Sequence, residues 1–208
     1  MRITARLRLF TMVGALLLLG GAARAQVEMT HFKASGARAS LNSFNGTTAY
    51  DLSVNRDDSG TTLTTFLSFV TQQCDATFTV CSGVFGSGNI PNSDFNASTG
   101  TANLNTNLAT NPGFQLINYV QDNANGTFTS SPAVRGIVNV NWKKVPRQSS
   151  SMTGTQTLVS GGFSTKFTGT QTSDSATATG TVLSAPLPAP SSGLISLAKS
   201  SAMVITRN

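Results

Sequence analysis

Apolar and polar residues alternate along most of the chain from Ala37 onward, in short runs broken by Gly, Asn, Asp, Ser and Pro. A period of two puts every second side chain on one face of a pleated strand, so the pattern predicts about ten to twelve short strands. Ala37 to Phe44 meets Asn45-Gly46 and continues as Thr47 to Val54, a hairpin signal because both turn residues tolerate positive φ. Tyr50, Leu52 and Val54 share one face of the second arm. Asn55 to Gly60 reads as a turn into Thr61 to Thr71. There Leu63, Leu67 and Phe69 lie on one face and Phe66 and Val70 on the other, the pattern of a central strand covered on both sides.

Further on, Ala102, Leu104, Thr106 and Leu108 alternate with Asn103, Asn105 and Asn107, giving one apolar and one amide face. Phe114, Leu116 and Val120 form the next inward set, with Ile117 and Tyr119 opposite and a turn at Asn125-Gly126. Val138, Val140 and Trp142 then face inward, followed by Phe163, Thr165 and Phe167, and by Ala176, Ala178, Gly180 and Val182. Ala185 to Pro190 reads as an extended connector inside a Pro/Ser-rich stretch, 185–193. A strand pair, Leu194 to Ala198 and Ala202 to Thr206, closes the chain. Many evenly spaced strands with Gly-rich turns predict one antiparallel all-β domain over residues 26–208, a β-sandwich or barrel-like fold.

The first residues carry a different pattern. Arg2, Arg6 and Arg8 precede an apolar run from Leu9 to Leu19, and Ala23-Arg24-Ala25 fits a small-x-small cleavage site. The run is too short to span a bilayer, so residues 1–25 read as a signal peptide cut before Gln26. Export to the periplasm or the medium follows, with no later transmembrane segment expected. Removing the leader also removes Arg24 and the three earlier arginines. Ten basic residues then remain of 14, against eight acidic ones, a net charge of +2. That is far below the basic stripe a nucleic-acid partner requires.

The segments HFKASG, CDATFTVCSGVFGSGNIPNSDF and VNVNW resemble those of uncharacterised secreted bacterial all-β proteins. The resemblance implies an exported all-β chain and brings no catalytic or ligand residue with it.

Candidate chemistry is sparse. Cys74 and Cys81 are the only cysteines; with six residues between them and no Cys/His partner set, they fit a structural disulfide formed after export. A straight strand would hold them apart, so the chain must reverse near Asp75-Ala76-Thr77. His31 is the single histidine, which removes most nucleophile–base designs. In Asn55-Arg56-Asp57-Asp58-Ser59-Gly60, the residues Asn55, Asp57 and Ser59 alternate like the start of a calcium loop, although the acid that completes such a loop is replaced by Phe66. A hydrolase would need two loop aspartates facing one bond.

Trp142, Lys143, Lys144 and Arg147 form the densest basic group and hold the only tryptophan. They are the candidate ligand-binding residues for a glycan or cell-surface partner, although the alternation also puts Trp142 in the core. Three T-x-T rows, Thr153/155/157, Thr168/170/172 and Thr177/179/181, would form a flat hydroxyl array of the kind seen on ice-binding surfaces if aligned on one face. The expected role is binding, surface or structural rather than catalytic. A carbohydrate- or surface-binding module and a hydrolase using loop aspartates are the alternatives; no cofactor is expected, and calcium at Asn55, Asp57 and Ser59 is the alternative to a plain turn there.

Overall fold

The computed structural model describes residues 35–58, 60–160, 163–189 and 191–207. The signal-peptide reading, His31, Glu28 and Ser59 lie outside the described residues. The described residues form twelve strands: β1 (Ser35–Asn45), β2 (Thr48–Asp58), β3 (Leu63–Cys74), β4 (Val80–Ile90), β5 (Phe95–Ser98), β6 (Thr101–Asn107), β7 (Gln115–Asp122), β8 (Thr127–Pro132), β9 (Ile137–Ser160), β10 (Phe163–Val182), β11 (Ala185–Pro186) and β12 (Ser191–Arg207). All pairings are antiparallel and join one sheet of order β5-β6-β9-β10-β12-β1-β2-β3-β4-β7-β8, with β11 on β10. The all-β fold expected from the alternation is the observed one.

The sheet rolls so that the β5–β6–β9 end lies over β1 and β2. Two contacts record the overlap. Arg56 on β2 donates to the carbonyl of Phe95 at 3.0 Å, and Trp142 on β9 donates to the carbonyl of Ser40 on β1 at 2.9 Å. Between the layers sits one apolar core that includes Leu41, Leu52, Val54, Leu67, Phe69, Phe95, Leu104, Val138, Val140, Trp142 and Ile195. The two-residue rhythm needs this arrangement, since each strand that contributes to the core has one dry face and one wet face. Glycine makes room where the core aromatics are largest. A Cβ at Gly86 would lie 2.5 Å from the Phe69 ring and 2.9 Å from that of Phe114, and one at Gly193 would lie 2.7 Å from Trp142.

Several local expectations are corrected. The β1–β2 turn is Gly46-Thr47, because Asn45 pairs with Thr48 and only Gly46 has positive φ, the type II′ pattern rather than the Asn-Gly I′ one. Each partner slides by two residues, so every side chain keeps its face. β2 continues through Asp58, which makes Asn55 and Asp57 strand residues rather than turn residues. β3 is covered on one side only: Leu67 and Phe69 are buried, whereas Phe66 is 43% exposed. On β7 Val120 is 44% exposed, and Tyr119, on the outer face, is the buried residue. The closing strand pair is one strand, β12, with an irregularity opposite Thr168/Gly169, and Ala185–Pro186 pairs back on β10 instead of only connecting.

Candidate functional site

The ladder splits the basic tetrad by parity. Trp142 is 2% exposed and faces the core. Lys144 shares that inward parity and pairs with Asp174 at 2.8 Å. Lys143 points the other way, exposed on the outer face between Thr101 and Thr177. Arg147 lies in a bulge: Lys144 pairs with Ala176 and Ser149 with Asp174, so four residues of β9 loop out beside the single residue Ser175. Arg147 takes positive φ there, at 67°. The four side chains therefore do not converge, because neighbouring strand residues face opposite ways.

Asp174 is the buried carboxylate of the described chain. Donation from the Lys144 ammonium and from the Ser149 hydroxyl at 2.6 Å holds its carboxyl below the ordinary carboxylate range against the opposing effect of burial. Its hydrogen bonds serve the fold at the bulge. The turn aspartates are likewise committed. Asp75 accepts from Thr79 N–H at 2.7 Å and Val80 N–H at 3.3 Å, and Asp122 accepts from Ala124, Asn125 and the Asn125 side chain. Desolvation pushes the Asp75 carboxyl up, but the hydrogen bonds from Thr79, Val80 and Thr77 outweigh it and leave it lowered. Cys74 and Cys81 face each other across the β3–β4 ladder and are joined as a disulfide, with the reversal starting at Asp75 as expected.

Asn55 and Asp57 sit on the outer face of β2, opposite Arg38 and Gly36. Among the described residues no group of three or more His, Cys, Asp or Glu side chains is placed to hold a metal ion.

The chemistry-bearing surface lies elsewhere, on the outside of the rolled sheet. One cross-strand row runs through eleven strands: Ser98, Thr101, Lys143, Thr177, Ser192, Asn42, Asp51, Val70, Phe85, Ile117 and Pro132. It is polar from β5 to β2 and apolar from β3 to β8. Two parallel rows repeat the polar half: Asn96, Asn103, Asn141 and Thr179, then Asn105, Asn139 and Thr181. The third T-x-T row thus joins an asparagine grid on the outer face. The other two rows pair with each other, Thr153 with Thr170 and Thr155 with Thr168, in the extension of β9 and β10 and on the opposite parity. The three rows do not share a face.

The grid sits on the core: the inner faces of the same strands carry Leu104, Val138, Val140, Ala176 and Ala178, all buried. It is also unspent. Asn141 donates to Asn139 at 3.2 Å, while the amides of Asn96, Asn103 and Asn105 make no hydrogen bond to the rest of the described chain. Beside the grid, on β12, β1 and β2, lies a shallow open depression of about 330 Å³. Its floor is made by the small residues Ser40 and Ser53, with Leu194 next to them; Arg38 stands at one end and Asn42, Asp51 and Ser192 at the other. Arg38 and Asp51 are two rows apart, roughly 13 Å along the strand direction, and leave each other unpaired. Asp51 receives only a long 3.4 Å contact from Asn42.

No motif in the sequence marks Arg38 or Asp51. The available signal was a charged residue at an outward position in the middle of a strand, where Asp in particular is disfavoured. No protein-family model, no curated protein and no solved structure matches this chain.

Proposed function

We propose that this is an exported, non-enzymatic binding protein whose working surface is the polar outer half of the sheet, from β5 across β6, β9, β10, β12 and β1 to β2. The observation that carries the reading is the asparagine grid. Asn is depleted in strands, yet Asn96, Asn103, Asn105, Asn139 and Asn141 occupy aligned strand positions. The side-chain amides of three of the five make no hydrogen bond within the described chain. A fold that places amides against local preference, over a well-packed core, and leaves them directed to solvent is using them for something outside itself.

The surface suits a partner held by many weak hydrogen bonds rather than by one deep pocket. Lys143 is the one charged residue in the grid, so the partner is recognised by polarity and shape and not by a strong field. The test is binding of the processed protein to isolated cell-envelope and extracellular-matrix material. Asn96→Asp together with Asn141→Asp adds two charges to the grid, two strands apart in one row, without touching the core. At least tenfold weaker binding by this variant, with an unchanged melting temperature, supports the reading. Binding equal to that of the parent, or no binding by the parent, overturns it.

A further inference from the structure

We infer that the depression and the asparagine grid form one continuous site for a neutral, hydroxyl-rich polysaccharide, the depression seating one sugar unit and the grid carrying the chain beyond it. This inference rests on the reading of the outer face as a binding surface and goes further by naming the ligand.

Charge comes first. The depression carries one cation, Arg38, and one anion, Asp51, at opposite ends and unpaired, and the grid adds only Lys143. The charges are mixed, two cations and one anion, so neither a polyanion nor a polycation meets a field of one sign, and a neutral ligand meets no like charge at all.

Hydrogen-bonding capacity comes next. Arg38 can only donate and ionised Asp51 can only accept, whereas Ser40, Ser53, Ser192 and Asn42 do both. A sugar hydroxyl also does both, so it can satisfy any member of the set. Leu194, partly exposed at the floor, offers an apolar patch to the C–H side of a sugar ring. The depression, about 330 Å³, lies at the small end of the range of ligand pockets, a size for one or two rings rather than a folded peptide.

Length comes last. The row from Asp51 through Asn42, Ser192, Thr177, Lys143 and Thr101 to Ser98 crosses seven strands. At about 4.8 Å per strand that is a contour of roughly 29 Å, several sugar units long. No aromatic side chain lies in these rows, so each unit is held weakly and binding depends on the polymer's many contacts acting together.

The test uses the processed, disulfide-intact protein in native gels cast with a soluble neutral glucan, a neutral mannan or a polyuronate. Calorimetry with oligosaccharides of one or two units from the retarding polymer gives the affinity of the depression alone. The expected result is retardation by at least one neutral polymer and not by the polyuronate. Arg38→Ala and Asp51→Asn should each weaken both oligosaccharide and polymer at least tenfold. Asn103→Ala with Asn141→Ala should weaken the polymer about fivefold or more and leave the oligosaccharide unchanged. Circular dichroism of each variant should match the parent. Retardation by the polyuronate alone, by none of the three polymers, or undiminished in the Arg38 and Asp51 variants overturns the inference. If envelope binding is lost in the charged grid variant while all neutral polymers fail to retard the parent, the glycan assignment falls and the binding face stands. If the parent binds no envelope material and no polymer, both fall.

Discussion

The indole N–H of Trp142 donates to the backbone carbonyl of Ser40 at 2.9 Å, joining β9 to β1, two strands that share no ladder. The bond pins the two layers of the rolled sheet together at its core and lies directly beneath the depression, whose floor includes Ser40. Trp142→Phe removes the donor and part of the ring volume, and is expected to cost about 2 kcal/mol; Trp142→Ala should cost about 3–5 kcal/mol. Urea unfolding checks both. The parent's fluorescence should be blue-shifted and resistant to soluble quenchers until the unfolding transition. A red, quenchable emission from the native protein would contradict the buried position.

Thr106 has its hydroxyl buried without a hydrogen-bond partner, on the inner face of β6. An unsatisfied buried hydroxyl costs free energy, and valine has nearly the same shape without it. Thr106→Val is therefore expected to stabilise the protein by about 1 kcal/mol, seen as a higher urea midpoint at unchanged slope. Destabilisation would mean that the hydroxyl has a partner after all.

The dry faces of the strands were legible from alternation because burial against one core enforces period two. Val138, Val140 and Trp142 read correctly, as did Ala102, Leu104 and Leu108. What failed was local. The Asn45-Gly46 pair carries no record of which partner register the rest of β1 and β2 prefers, and Leu41 opposite Leu52 settles it. Phe66 resembles a core residue, but its face of β3 has no layer over it. The candidate surface was less legible still. The asparagines of β6 and β9 were visible as an amide face on each strand, but only the β6–β9–β10 register turns them into a grid. Arg38 and Asp51 are thirteen residues apart and share a depression only because β1 and β2 fold back on each other.

Lys144 and Asp174 form a pair that is asymmetric in burial, with Lys144 33% exposed and Asp174 almost wholly covered. The Asp174 carboxyl is held below its ordinary value of 3.8, so the folded protein releases this proton more readily than the unfolded chain does. The stabilisation is therefore complete above that ordinary value and is lost as pH falls through the lower folded value. A stability–pH profile should fall in that acid window, and Asp174→Asn should flatten the fall. Lys144→Met strands the carboxylate and should cost on the order of 2 kcal/mol near neutral pH, less than a fully buried pair because Lys144 is partly in water. An unchanged acid limb in Asp174→Asn would show that other carboxylates govern it.

Tyr119 stacks on Phe128 at 5.9 Å on the outer face of the β7–β8 pair, and Phe128 is itself 60% exposed. Burial of the phenol pushes its pKa up to about 12 from 10. The charged phenolate is the disfavoured form in the folded state, so the native protein holds this proton where the unfolded chain has released it. Stability should consequently decline as pH rises from 10 toward 12, the reverse of the aspartate case. Phe128→Ser removes the stacked ring and lets water reach the phenol. The ultraviolet phenolate titration of that variant should show the high-pH step move down toward 10, while Phe128→Leu, which keeps an apolar cover, should shift it less. A step unmoved by Phe128→Ser would mean that the backbone of β3 and β4 alone shields the ring.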